Sequence, residues 1–191
     1  MAALIFSSCA TTKVTRVDSG TATDLSGYWN DTDVRIAADG IISACLSSPR
    51  IQGYPAAHGG RLPVVIVGSY RNMSDEHIDT EILTKKLEAA LVNSGAVDFV
   101  ASASERGEIR AERADQQYNS SEATAKNLGN ETGADFMMQG SVKTIVDSDG
   151  SQMTRTYYIT TELIDIETNK KIWMNDNSDI KKLIKRSSVR M

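Results

Sequence analysis

The stretch that decides the fold is DFMMQGSVKTIVDSDGSQMTRTYYITTELI, residues 135–164. Its first part, residues 135–146, predicts a strand, and Asp147-Ser148-Asp149-Gly150 predicts a hairpin turn. From Met153 to Leu163 the side chains alternate between two faces, which predicts a second strand with one buried face. The residues expected on that buried face are Tyr157, Ile159, Thr161 and Leu163. The stretch therefore predicts an antiparallel hairpin at the centre of a sheet.

The sequence before this hairpin alternates between helical and strand patterns. Apolar residues at the 3.6-residue period predict a helix from about Thr32, capped by Asn30 or Asp31, and a second over 77–94 ending at Gly95. Short apolar, β-branched runs at 62–67 and 97–101 predict buried strands. Residues 68–72 are expected to form a loop.

Two more helices and a last strand complete the predicted order. Residues 105–117 are strongly charged and predict an exposed helix, and Ser121 is expected to cap another that Gly133 ends. After a turn at 167–170, a strand follows around Ile172–Met174. The order α-β-α-β-α-α-β-β-β predicts the class α/β (α+β), with a single mixed β-sheet flanked by helices.

Composition limits the chain to one ordinary domain. Of 191 residues, 40% are hydrophobic and 24% charged, and the net charge is −4. One sizeable core is expected. The charge gives no indication of nucleic-acid binding, and no apolar run reaches the roughly 18 residues of a membrane-spanning helix.

The N-terminus has the pattern of a lipidation signal. A short apolar run, Ala2–Phe6, leads to Ser7-Ser8-Cys9-Ala10, which resembles the end of a bacterial lipoprotein signal peptide. Because a full signal needs a charged start and a longer apolar region, we expect the start codon to lie further upstream or the sequence to be trimmed. Ala10 after the cysteine, by resemblance to enteric lipoproteins, favours the outer membrane. The alternative is a frayed apolar end with an incidental cysteine.

These features divide the chain into four expected parts. Residues 1–9 are a signal-peptide remnant with the lipidation site Cys9, and residues 10–24, rich in Thr, Ser, Asp and Gly, are a flexible tether. Residues 25–182 are the globular domain, and 183–191 a basic C-terminal tail. The lysine and arginine residues from Lys181 to Arg190 could bind an anionic surface, but a solvated, frayed end is the simpler interpretation.

No motif in the sequence predicts catalysis, a metal or a cofactor. A phosphate-binding loop, a zinc motif and a nucleophile elbow are missing from the sequence, and His58 and His77 are expected at the surface or at a cap. Asp147, Asp149 and Gly150 resemble the start of a calcium loop, but the glutamate that closes such a loop is missing, which favours a plain turn. Cys45 is expected in the core. We therefore predict no catalytic residue, no metal, no cofactor, no small-molecule substrate and no enzyme.

Several stretches, in order, resemble one family. Residues 24–33, DLSGYWNDTD, and residues 71–78, RNMSDEHI, are similar to segments of the LpoB-type penicillin-binding protein activators. The shorter pieces that fit the same family are TAKNLG (124–129), GAD (133–135), QG (139–140), Glu167-Thr168 and Trp173. The resemblance spans about residues 24–182.

The resemblance implies a fold like the N-terminal domain of TolB and a lipid-anchored protein on the periplasmic face of the outer membrane. It implies that the protein binds and activates a bifunctional peptidoglycan synthase, a penicillin-binding protein, and so regulates cell-wall synthesis and cell shape. The alternative is a non-enzymatic envelope scaffold or assembly lipoprotein of the same fold with another protein partner.

The partner-binding residues predicted from sequence are Tyr70, Arg71 and Asn72. They follow a buried strand, and Tyr and Arg are frequent interface anchors, although Asn72 could equally cap a turn. Trp29 lies at the start of the domain, where packing of the first helix onto the sheet is favoured over exposure.

Overall fold

The computed structural model describes residues 13–121, 123–126 and 131–185. Its helices are α1 Asp31–Leu46, α2 Pro49–Gln52, α3 Tyr54–Ala57, α4 Thr80–Ser94 and α5 Ala103–Asn119. Its strands are β1 Val64–Asn72, β2 Asp98–Phe99, β3 Phe136–Ser148, β4 Gln152–Asp165, β5 Lys171–Asn177 and β6 Lys181–Lys185. None of the helices in these residues is long and apolar enough to cross a membrane.

All six strands belong to one mixed sheet, in the order β2-β1-β3-β4-β5. β1 is parallel to both β2 and β3, whereas β3, β4 and β5 are antiparallel neighbours. β6 also pairs with β4, along its first half, over Gln152–Thr156. The predicted fold class, a mixed sheet with flanking helices, is confirmed.

The core lies between one face of this sheet and the helices α1 and α4. Helix α1 contributes Ile41 and α4 contributes Leu83 and Leu87, all fully buried. The alternation predicted for β4 is confirmed, since Tyr157, Ile159, Thr161 and Leu163 are each 0% exposed. We call this the helix side of the sheet and the other the open side. Helix α5 has no buried residue, which agrees with the exposed helix predicted there.

Residues 68–72, predicted as a loop, instead extend strand β1 as far as Asn72. The pairing with β3 shifts between Val67 and Tyr70, so a β-bulge absorbs the glycine and serine that suggested a break. Beyond the bulge, Tyr70 lies beside Gly140 of β3, whose missing side chain leaves room for the aromatic ring. A local irregularity was therefore mistaken for the end of the strand.

Two other predictions at chain ends and loops were wrong. Lys181–Lys185, expected within a frayed basic end, form β6, so the domain continues past residue 182. Residues 121, 123–126 and 131–133 are not helical, with a turn held by the Ser121 and Thr124 hydroxyls 2.8 Å apart. The remainder of that predicted helix, and residues 186–191 of the predicted tail, lie outside the described residues.

Gly140 generates the first testable prediction. A Cβ at this position would meet the Thr160 carbonyl oxygen and lie 2.5 Å from a Tyr70 ring carbon. Because backbone on one side and a buried ring on the other leave little room to move, Gly140→Ala should lower the free energy of unfolding by about 1–3 kcal/mol. Urea unfolding followed by tryptophan fluorescence measures this change.

The matched control is Gly107→Ala in the exposed helix α5, where a Cβ would meet nothing within 4 Å. Alanine favours a helix interior over glycine by up to about 1 kcal/mol, so this variant should be neutral or stabilising. Equal stabilities of the two variants would contradict the close approach described at Gly140.

Candidate functional site

The two long stretches that resemble the family meet in space. We call residues 24–30 the N-terminal segment and residues 73–79, between β1 and α4, the 73–79 loop. The backbone N–H of Trp29 donates a hydrogen bond of 2.9 Å to Glu76 Oε2, although the residues are 47 positions apart. The contact places the segment that precedes the first helix directly against the loop that follows the first strand.

Glu76 is the centre of this contact. Its side chain is only 5% exposed, and a buried carboxylate is costly unless charges and hydrogen bonds surround it. Besides Trp29 N–H, it accepts a 2.7 Å hydrogen bond from the Tyr157 hydroxyl, and Arg155 Nη1 lies 2.6 Å from Oε1. Burial and the neighbouring Glu76 both raise the pKa of Tyr157, so this phenol remains a proton donor.

Arg155 joins the same cluster from strand β4. Its side chain is 6% exposed, and Nη2 donates a 2.8 Å hydrogen bond to Asp75 Oδ2. Its Nε and Nη1 lack a hydrogen-bond acceptor in a suitable direction, so the short approach of Nη1 to Glu76 is an ion pair rather than a directed bond. The ring of Tyr28 covers the guanidinium, with its centroid 4.9 Å from Cζ, a cation–π distance.

Asp75 fixes the loop to strand β3. Its carboxylate accepts a 2.5 Å hydrogen bond from the Thr144 hydroxyl, and its own N–H donates to the same hydroxyl at 3.2 Å. The bond from Thr144, followed by the charge of Arg155, lowers the pKa of Asp75 despite partial burial. Asp75 therefore remains ionised and holds Arg155 in place.

Lys182 of β6 fastens the N-terminal segment at its other end. Its Nζ lies 2.6 Å from Asp33 Oδ2 and 2.7 Å from Asp24 Oδ1, and donates to the Tyr28 carbonyl oxygen at 2.8 Å. Hydrogen bonds from Lys182 and Asn30 lower the pKa of the half-exposed Asp24. Burial raises the pKa of Asp33, and the lysine offsets only part of that effect. The two carboxylates thus respond oppositely to one cation because only Asp33 is buried.

The N-terminal segment ends at Asn30, the residue that caps helix α1. Asn30, one of the two predicted caps, accepts from the N–H groups of Thr32 and Asp33, and Asp33 accepts from Asn30 N–H in return. Gly27 has a φ of 75°, and a Cβ there would lie 2.5 Å from Ile184 of β6. The Trp29 ring packs against Tyr157 at 5.2 Å between centroids, as expected from the packing interpretation.

The structure does not bring the predicted partner-binding residues together. Tyr70 is 4% exposed and its hydroxyl bonds to Thr161 in the core, so its side chain offers no surface to a partner. Arg71 is exposed and pairs with Ser141 on the open side of the sheet. Asn72 accepts from Ser74 N–H and donates to the Glu76 carbonyl oxygen, which gives it a role in shaping the 73–79 loop.

The other residues singled out in the sequence lie at the surface, in a turn or in the core. His58 and His77 are exposed, and His58 stacks on Tyr54 at 3.8 Å between centroids. Asp149 accepts from Ser151 and Gln152 N–H in the hairpin turn. Cys45 is 1% exposed, and burial raises the pKa of its thiol to about 12. Among the described residues no group of three or more His, Cys, Asp or Glu could hold a metal ion; Cys9 lies outside them.

Sequence reasoning missed the cluster of Glu76, Arg155, Tyr157 and Lys182. One signal was present, because Arg155 lies two residues before Tyr157 and therefore on the buried face of the alternating strand β4. A buried arginine requires carboxylates, but nothing local to β4 indicates that they come from residues 75 and 76.

Comparison of the sequence with models of known protein families identifies one matching family. The sequence model of the family described as peptidoglycan-synthase activator LpoB matches residues 33–178. No curated protein matches the chain.

Solved structures of LpoB are among those similar to this chain. The LpoB C-terminal domain from Salmonella enterica has 19% identity over 72% of this chain and 94% of that chain, with a TM-score of 0.36. The domain from Escherichia coli has 18% identity over 65% and 83%, with a TM-score of 0.37. Lipoprotein GNA1162 from Neisseria meningitidis has 15% identity over 66% and 88%, with a TM-score of 0.38. These superpositions are too loose to support an inference about function.

The buried cluster generates the second prediction. Glu76→Ala removes the carboxylate that neutralises Arg155 and accepts from Trp29 and Tyr157, so it should cost about 3–5 kcal/mol of unfolding free energy. Urea unfolding gives this value, and hydrogen exchange of the Trp29 amide should become faster.

Glu108→Ala, on the exposed face of α5, is the control and should change stability by no more than about 0.5 kcal/mol. A Glu76 variant as stable as the control would mean that the cluster does not hold the N-terminal segment in solution.

Proposed function

This chain belongs to the LpoB family of peptidoglycan-synthase activators, and we propose that it binds a bifunctional peptidoglycan synthase, a penicillin-binding protein, and raises its activity. The observation that carries the proposal is the family match over residues 33–178, which runs from the first turn of α1 to the residue after β5. The match therefore covers nearly all of the folded domain rather than one motif.

We propose further that the chain acts by binding and performs no catalysis of its own. Support comes from the way its buried polar groups are engaged. Glu76, Arg155 and Tyr157 contact one another, and Lys182 contacts Asp24 and Asp33. Groups paired in this way hold the fold together, and the chemistry of cell-wall synthesis belongs to the partner.

The proposed location is the periplasmic face of the outer membrane, with a lipid on Cys9. The sequence Ser7-Ser8-Cys9-Ala10 supports lipidation, and residues 10–24 would join the lipid to the domain. A tether of this length has a relaxed span of about 20 Å, so the domain would stay close to its membrane.

Arg71 remains a proposed contact for the synthase, because its side chain is exposed on the open side of the sheet. Asn72 is proposed to act through the 73–79 loop, whose first residues it orders. Tyr70 is left out of the proposed contacts because it is buried.

The third prediction concerns activation. Added to purified bifunctional synthases of the source bacterium, the wild-type protein should increase glycan polymerisation and crosslinking. Arg71→Ala should weaken binding about five-fold or more, because arginines that anchor an interface commonly cost over 1 kcal/mol when truncated. Polymerisation of labelled lipid II and microscale thermophoresis provide the two measurements.

Arg50→Ala serves as the control, since Arg50 is also exposed and lies on α2 away from the sheet's open side. If the wild-type protein neither binds nor stimulates any synthase, the proposed function is wrong. If it does both and Arg71→Ala behaves like Arg50→Ala, only the role of Arg71 is wrong.

The fourth prediction concerns the anchor. Metabolic labelling with an alkyne analogue of palmitate should label the wild-type protein and leave Cys9→Ser unlabelled. Cys45→Ser provides the control and should keep the label, because Cys45 is buried in the core. Labelling of the Cys9 variant, or recovery of unlabelled wild-type protein in the cytosol, would contradict the proposed lipid anchor.

A further inference from the structure

Two large side chains near one end of the sheet are exposed. They are Tyr28 at 54% and Val146 at 41%. We call these residues the Tyr28 patch. They come from two separate parts of the chain, namely the N-terminal segment and strand β3, so the patch exists only in the folded protein.

Contacts with Arg155 place the two residues on one surface. Val146 is directly opposite Arg155 in the β3–β4 pairing, and directly opposed residues point to the same face. Tyr28 lies over the guanidinium of Arg155. The Asp75 carboxylate, which accepts from Arg155 and from the Thr144 hydroxyl, adjoins them on the same face. The patch therefore lies on the helix side of the sheet, past the ends of the helices.

The support beneath the patch is rigid. Arg155 and Glu76, which lie under it, are 6% and 5% exposed and are held by Asp75, Tyr157 and Trp29. Binding to a surface that is already ordered loses little conformational entropy. Tyrosine is also enriched in protein interfaces, which commonly have an apolar centre and a polar rim.

The charges around the patch indicate the kind of partner. The side chains of Asp24 and Asp75 are 51% and 50% exposed, whereas their cations Lys182 and Arg155 are only 9% and 6% exposed. The rim therefore presents carboxylates to solvent while the compensating positive charges are buried. Such a rim attracts Lys or Arg of a partner and repels an anionic bilayer.

The open side carries exposed charges of both signs. Lys143 of β3 and Lys181 of β6 lie there, paired with Tyr158 and Thr156 of β4, and so does Asp147, paired with Thr154. A basic partner therefore meets exposed lysines on the open side, whereas the cations paired with Asp24 and Asp75 at the patch are buried.

We propose that the Tyr28 patch is a docking surface for a folded protein that presents apolar side chains surrounded by lysine or arginine. The identification of that protein with the synthase rests on the proposed function, whereas the surface itself rests on the contacts above. The proposal places the main contact on the helix side of the sheet, separate from Arg71 on the open side.

Photo-crosslinking in cells tests the surface without assuming the partner. The photoreactive residue p-benzoylphenylalanine is introduced into the full-length chain at positions 28 and 146, one at a time. Matched control positions are Tyr118 and Ile145, which are 88% and 59% exposed and do not belong to the patch. Ile145 is the most stringent control, because it neighbours Val146 on β3, points to the open side, and lies four residues along β3 from Ser141, the neighbour of Arg71.

We expect the patch positions to crosslink to a peptidoglycan synthase, identified by mass spectrometry, and the control positions not to do so. The purified crosslinked protein should then bind Tyr28→Ser and Val146→Thr about five-fold more weakly than wild type, with Tyr118→Ser and Ile145→Thr unaffected. Binding should weaken with added salt, because opposite charges at the rim contribute. Thermal unfolding of each variant checks that the fold is intact.

Each alternative result has a distinct meaning. A different protein that crosslinks at the patch and loses affinity for the same two variants would support the surface and contradict the synthase as partner. A crosslink to a second copy of this chain, equal crosslinking at control positions, or none at the patch would overturn the proposed surface. In those cases the activation of a purified synthase, measured separately, still decides the proposed function.

Discussion

The buried carboxylate of Glu76 is the constraint on which the arrangement of this protein depends. At 5% exposure it has lost most of its hydration, which the charge of Arg155 and the hydrogen bonds from Tyr157 and the Trp29 N–H replace. These partners belong to strand β4 and to the segment before the first helix. Their relative positions are therefore fixed by one carboxylate in the 73–79 loop, and a shift of any of them would remove a contact that offsets its burial.

A second buried cluster joins the two ends of the described domain. Lys182 belongs to the short strand β6, yet it contacts Asp24, the Tyr28 carbonyl oxygen and Asp33. The beginning and end of the described domain are thus held together by one buried lysine.

The network also determines what the protein presents to its surroundings. It buries the cations Arg155 and Lys182 and leaves the carboxylates of Asp24 and Asp75 half exposed, beside Tyr28. A cluster that stabilises the fold thereby gives the helix side of the sheet an acidic rim, whereas the open side carries exposed charges of both signs, Lys143 and Asp147 among them.

Features set by neighbours along the chain could be predicted from sequence. The alternation of Tyr157, Ile159, Thr161 and Leu163, the cap at Asn30 and the glycine at the end of α4 all depend on local periodicity and backbone conformation. Those features predict the mixed sheet, and the ordered stretches that resemble the family predict the family.

Predictions failed at Gly68–Asn72 and Lys181–Lys185, because a bulge and a strand pairing depend on β3 and β4, which are distant in sequence. The burial of Tyr70, the pairing of Glu76 with Arg155 and the acidic rim were decided only by the tertiary structure, since charge pairing and burial depend on which distant side chains the fold brings within a few ångströms.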